Sequence, residues 1–210
     1  MNTSEQPGEG RNSNPSGGAC ALGQLENASA QAGRPAGSPL KQYNIAGLNE
    51  LSQGDFIRLI GPVFEHSPWI AELTWAKRPF ESAAALHRAL RETVLAADET
   101  KKLALIRAHP DLAGRAAQAG TLTPASAREQ ASGGLGRLSP EEAALFDKHN
   151  REYRERFGFP FVICARRNKK EAMLAGFERR LKNSPQQEIE AALAEVFKIA
   201  ELRLHDLIVP

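Results

Sequence analysis

The chain has 210 residues, 41% hydrophobic and 25% charged, an ordinary globular make-up whose length falls between one domain and two. Its 27 Lys+Arg against 25 Asp+Glu leave a net charge of +2, so no general field draws it to nucleic acid or an anionic membrane. Two cysteines form neither a disulfide framework nor a zinc quartet, and no apolar run reaches the roughly 18 residues that span a bilayer.

The first 40 residues hold seven Gly and four Pro, with Asn, Ser and Gln in many of the other places, Cys20 among them. Such a segment buries too little apolar surface to offset its ordering entropy, so residues 1–40 read as a disordered tail. It carries no basic segment followed by an apolar block, and no secretory signal is expected. Residues 41–210 are then one domain of about 170 residues, enough for a single core. With its reduced cysteines and no membrane segment, the protein is expected in the cytoplasm.

From Leu48 onward the apolar spacing is helical. Leu48, Leu51, Phe56, Leu59, Ile60 and Val63 suit one or two short helices interrupted near Gly54 and at Gly61-Pro62. Trp69, Ile70, Leu73 and Trp75 follow a start at Ser67-Pro68. Ser82 to Ala97 places Leu86, Leu90, Val94 and Leu95 on one face, and Asp98 caps the next helix. Ser139-Pro140-Glu141-Glu142 predicts a capping box with Pro at the first helical position, and Gly158 is a natural terminator. Ser184-Pro185-Gln186-Gln187 repeats that logic and opens a long helix with Ile189, Leu193, Val196, Phe197, Ala200 and Leu204 as its buried stripe. Only Phe159 to Ala165 looks extended. The fold expected is all-α, a single bundle-like helical domain with one short buried extended segment.

Chemistry then has to sit at the ends of elements. In Ala108-His109-Pro110-Asp111-Leu112-Ala113-Gly114, proline disfavours helix at the residue before it, which leaves an imidazole on a fixed turn at a helix end. Such a histidine can act as general acid or base near neutral pH, or simply cap the helix in its macrodipole field. Thr123-Pro124 starts a helix whose first turns place Ser126, Glu129 and Gln130 on one face. These can grip a small polar molecule or face solvent. The non-helical backbone from Phe157 to Ala165 leaves N–H and C=O groups in need of partners, from the core or from a ligand. Cys164 lies in an apolar run and reads as core before nucleophile. No spacing connects the five histidines as metal ligands, and Gly133-Gly134-Leu135-Gly136 lacks the lysine and the strand of a phosphate loop.

The order HPDLAG, SAREQAS, FGFPFVICA, spread over Leu48 to Leu207, resembles the 2-oxo-4-hydroxy-4-carboxy-5-ureidoimidazoline (OHCU) decarboxylases of urate breakdown. The resemblance implies an all-helical homodimer that converts OHCU to (S)-allantoin and CO2 with no metal or organic cofactor. It makes His109 the catalytic acid or base, beside which Glu129 can orient a ring or ureido N–H or assist the proton transfer. Pro110, the stretch Ser126, Ala127, Arg128, Glu129 and Gln130, and the backbone of Phe161, Val162, Ile163, Cys164 and Ala165 would line the substrate pocket. Arg203 stands where the family has a substrate-binding arginine. Urate oxidase and hydroxyisourate hydrolase are the functional neighbours implied. The sequence ends Ile208-Val209-Pro210, without the peroxisomal SKL-type signal of some members. A competing class also carries His-Pro-Asp: J-domain co-chaperones place it between two helices to engage an Hsp70. They are much shorter and would not account for FGFPFVICA. A decarboxylase-like domain that only binds is a third reading.

Overall fold

A computed structural model of the chain describes residues 43–209, so the expected tail over 1–40, and Cys20 with it, lies outside the described residues. Those residues form ten α-helices: α1 (Ile45–Asn49), α2 (Gln53–Ile60), α3 (Trp69–Trp75), α4 (Ala83–Leu95), α5 (Glu99–Arg107), α6 (Arg115–Gln118), α7 (Pro124–Ser132), α8 (Pro140–Phe157), α9 (Lys170–Arg180) and α10 (Pro185–Leu207). Among the described residues, one isolated parallel bridge, Tyr43 to Ile208, is the only β pairing. The all-α expectation holds.

Local chemistry sets most boundaries. Asp98 accepts from Lys101 N at 2.8 Å to start α5. Both Ser139 and Ser184 form complete capping boxes, with Glu142 and Gln187 reaching back to the cap N–H groups. Gly158, at φ 75°, closes α8 in the left-handed conformation that glycine adopts without steric cost. The central element is α10, which packs against α4 and α5 and buries Leu193, Val196, Phe197, Ala200 and Leu204. Each such side chain contributes about 1.5–3 kcal/mol if fully removed from water.

Several expectations need correction. Leu73 and Leu95 are 54% and 51% exposed. Leu95 follows the buried Val94 by about 100° of helix rotation, which turns it off the core face. Gly54 lies in the first turn of α2; the break falls before it, at Ser52, whose hydroxyl accepts from Asp55 N at 3.2 Å. Helices α6 and α9 have no counterpart in the sequence reading.

The expected extended segment is present from Phe159 to Cys164 and is buried throughout, while Ala165 already begins a 3-10 turn. Phe161 stacks on Phe177 of α9 with ring centroids 3.9 Å apart and meets Tyr153 of α8 edge-on at 5.2 Å. A Cβ on Gly176 would stand 3.0 Å from the Phe161 ring, so glycine is what lets α9 lie this close. The segment is thus a rigid internal strut. No described helix is long and apolar enough to cross a membrane.

Candidate active site

Helix α5 ends at Arg107, and Pro110 prevents its continuation through His109. His109 is 6% exposed, and its Nδ1 lies 2.9 Å from the carbonyl of Leu105, the arrangement of an N–H donor. Burial pushes the imidazole down to about 4, with Arg203 acting the same way and the Leu105 carbonyl and Glu65 opposing. The ring is therefore neutral at pH 7. It bonds a last-turn carbonyl, but not as the charged macrodipole cap. With Nδ1 as donor, Nε2 carries the lone pair, and it has no partner among the described residues.

The turn after His109 is held from two sides. Ala113 adopts φ 52°, a left-handed backbone that costs a residue with a Cβ about 1–3 kcal/mol and persists only where its surroundings dictate it. Gln130 supplies that restraint: its Oε1 accepts from Ala113 N at 2.9 Å, and its Nε2 donates to the carbonyl of Asp111 at 3.1 Å. From α8, Asn150 donates to the carbonyl of Leu112 at 2.9 Å, and Arg154 Nε meets the Asp111 carboxylate at 2.9 and 3.0 Å. Gln130, expected to offer its amide to substrate, spends it on the loop.

Arg203, on α10, is 6% exposed and organises the opposite wall. Its Nε and Nη2 donate to the two oxygens of Glu129 at 2.8 and 2.7 Å, a planar fork on a carboxylate. Its Nη1 donates to Glu65 at 3.0 Å, and its Nη2 lies 3.3 Å from the hydroxyl of Ser126. Glu65 is 4% exposed and also accepts from Thr123 at 2.8 Å and Ser126 at 3.1 Å. Burial raises its carboxyl, but Arg203 and Thr123 outweigh that and leave it below the usual range. For Arg203 burial is likewise outweighed, here by Glu129 and Glu65, and the guanidinium is held more firmly charged. One cation thus sits between two carboxylates beside a neutral imidazole.

The structure brings His109, Pro110, Ser126, Glu129, Gln130, Phe161, Val162, Ile163, Ala165 and Arg203 around one small cavity of about 30 Å³. An open groove of about 840 Å³ lies beyond, and Glu65, Glu129 and Arg203 border it. Glu129 and Arg203 border both spaces. Three predicted residues fall elsewhere. Ala127 is exposed, and Arg128 is exposed and borders only the groove. Cys164 is buried with its thiol pushed up by that burial, and it does not border the cavity. Glu65 is the residue that sequence reasoning missed; its only signal was a lone carboxylate closing the apolar run Val63-Phe64. Among the described residues, no group of three or more His, Cys, Asp or Glu is arranged to hold a metal.

The chain is similar to proteins of known activity. The chain is 42% identical over 161 residues to the OHCU decarboxylase of Amia calva, covering 77% of this chain and 92% of that one. It is 39% identical to the Mus musculus OHCU decarboxylase, covering 77% and 90% of the two chains. It is 37% identical over 166 residues to the Bacillus subtilis uric acid degradation bifunctional protein PucL, spanning 79% of this chain and 33% of that longer one. Among solved structures, an (S)-allantoin synthase superposes with a TM-score of 0.63 at 27% identity, covering 79% of this chain and 54% of that one. An OHCU decarboxylase crystallised in the presence of (S)-allantoin superposes with a TM-score of 0.53 at 26% identity, covering 65% and 87%. Residues 49–205 match the OHCU decarboxylase family, three quarters of the sequence with the His109 turn, α7 and Arg203 all inside the match, and the chain belongs to that family.

Proposed function

We propose that this carboxy-lyase of urate degradation converts OHCU to (S)-allantoin and CO2 in the cavity bordered by His109, Glu129 and Arg203. The observation that carries the assignment is the neutral, buried His109 with a free Nε2 lone pair, on the same cavity as a guanidinium.

In the reaction the C4–carboxylate bond breaks and its electron pair moves into the adjacent ring C=N. The hydroxyl on the same carbon loses its proton and becomes the carbonyl of allantoin. A proton is added to the ureido-bearing carbon from one face, which fixes the S configuration, and another to the ring nitrogen that received the electron pair; one of the two comes from the hydroxyl and the other from solvent. His109 Nε2 takes or returns these protons, and a neutral ring is the form that can accept one. The approach of an anionic substrate raises the affinity of His109 for a proton at the moment it is needed.

Arg203 receives a substrate carboxylate or carbonyl in place of Glu129, which is then released as a second proton carrier. That exchange also frees room beside the small cavity, whose volume of about 30 Å³ holds roughly one water. Ser126 and Gln130 hold the wall and the loop, and the backbone of Phe161 to Ala165 fixes the ring. Ala127 and Arg128 complete the helix that presents them. The working unit is a homodimer in the cytoplasm, beside urate oxidase and hydroxyisourate hydrolase, and it needs no cofactor because the ring itself accepts the electron pair.

A coupled assay that generates OHCU from urate and follows optically active allantoin tests this directly. The wild-type chain is expected to accelerate enantioselective product formation, and His109→Ala to lose it by 100-fold or more while folding normally. A wild-type chain no faster than buffer sinks the activity, and an active His109→Ala sinks the role of the histidine.

A further inference from the structure

Against the extended segment, but not bordering the cavity, lies a second buried charge cluster that the reaction leaves unused. Arg180 closes α9 and Glu188 sits in the first turns of α10, with exposures of 6% and 0%. Arg180 Nη1 donates to the carbonyl of Val162 at 2.6 Å, and its Nε donates to Glu188 at 2.8 Å. Tyr153 Oη donates to the same carboxylate, and Asn183 donates to its other oxygen at 2.7 Å. The guanidinium also lies over the Phe161 ring, 4.6 Å from its centroid. Two residues on, Cys164 N donates to Glu195 of α10 at 2.9 Å.

Burial pushes the Glu188 carboxyl up to about 8 and the Arg180 guanidinium down to about 10, so the pair gains little stability over apolar side chains of the same volume, and stability is a weak account of it. What it does supply is direction. The planar fork is fixed by Glu188 and the Phe161 face, and that fixes where the Val162 oxygen must be. The Val162–Ile163 peptide is trans, so the N–H of Ile163 points opposite to that carbonyl, away from Arg180. Val162 and Ile163 both border the cavity, and the Ile163 N–H has no partner among the described residues. A charge-assisted bond at the carbonyl also polarises the peptide and strengthens its N–H as a donor.

We propose that Arg180, oriented by Glu188 and Tyr153, is a positioning residue that aims and polarises the Ile163 N–H as a hydrogen-bond donor to the substrate ring. This rests on the reading that the segment borders the substrate site.

The test uses the full chain as wild type, Arg180→Lys and Glu188→Gln, each checked by near-UV circular dichroism and thermal melting. Lysine keeps the buried charge but cannot reach both Glu188 and Val162 in the fork geometry. Arg180→Lys is expected to fold, to raise KM for OHCU about tenfold or more, and to lower the enantiomeric excess of the allantoin formed. In ¹⁵N-labelled wild type, the Ile163 amide is expected to shift downfield on addition of (S)-allantoin, and in Arg180→Lys to lose most of that shift. A folded Arg180→Lys with wild-type KM, kcat and amide response overturns the proposal. Should it fail to fold, Glu188→Gln decides by the same readings. An Ile163 amide that ignores (S)-allantoin in the wild type sinks the reading of the segment as substrate-facing, a different failure.

Discussion

Arg203 and Glu129 meet through two parallel hydrogen bonds of 2.8 and 2.7 Å, across 74 residues of sequence, and together border both the small cavity and the larger groove. The remaining nitrogen of the same guanidinium is committed to Glu65. A lysine at position 203 carries the charge but not the planar fork, so it cannot hold both Glu129 oxygens and Glu65 in this geometry. Arg203→Lys is expected to lower kcat/KM by about 100-fold, the scale of a misplaced reacting geometry, and to lower the melting temperature because Glu65 and Glu129 are then undercompensated. Steady-state kinetics with a thermal melt on the same sample checks both. Unchanged kinetics would remove Arg203 from the site.

The depressed proton affinity of His109 has a pH signature. The kcat/KM of a reaction that needs the neutral ring in the free enzyme is expected to stay level from pH 8 to about 5.5 and to decline only toward the folded value of about 4. Stability moves the same way. Below the ordinary histidine value of 6.5 the unfolded chain binds a proton that the native chain refuses. Native stability therefore declines as pH falls from 6.5 to about 4, by up to about 3 kcal/mol, and levels off below that as far as this residue is concerned. His109→Asn should flatten that slope in urea titrations run at several pH values; a slope identical to wild type would show a titrating group elsewhere.

Gln130 acts on the loop rather than on solvent. Gln130→Leu keeps the volume but strands the Ala113 N–H and the Asp111 carbonyl. A loss of about 1–3 kcal/mol in denaturant unfolding is expected. Turnover should fall about tenfold or more in protein that is still folded, because the strained turn that carries His109 and Pro110 loses its restraint. Wild-type turnover in folded Gln130→Leu would show that the turn holds itself.

The Cys164 thiol is buried and pushed upward, so little of it is thiolate near neutrality. Native protein treated with iodoacetamide at pH 8 is expected to retain an unmodified Cys164 by peptide mass, and urea-unfolded protein to be fully alkylated there. Rapid native alkylation would place the thiol on an accessible surface instead.

What the sequence made readable was mostly local. The capping boxes at Ser139 and Ser184, the Asp98 cap and the Gly158 terminator depend on neighbours within a few residues, and each is realised. The His109 turn was legible for the same reason, since Pro110 dictates it. Glu65 was not, because what makes it a site residue is a partner 138 positions away and hydroxyls from a different helix. Helix α9 was missed because it buries only Met173, Gly176, Phe177 and Arg180, too few apolar positions for a periodic stripe, with a glycine in its interior. Ala127, Arg128 and Cys164 share a motif with true cavity residues, but a helix and an extended segment each turn some side chains away.

Tyr43 is joined to the far end of the domain: its N–H donates to Leu207 at 2.8 Å, and its carbonyl accepts from Val209 at 3.0 Å. The described chain therefore enters and leaves at one point, like a bead with both threads through the same hole. Such a domain can be spliced into a longer polypeptide, or cut and re-closed elsewhere, without separating the ends. The clasp also ties down the last turn of the helix that carries Arg203, so a fusion that displaced Tyr43 would reach the buried guanidinium through four residues of helix.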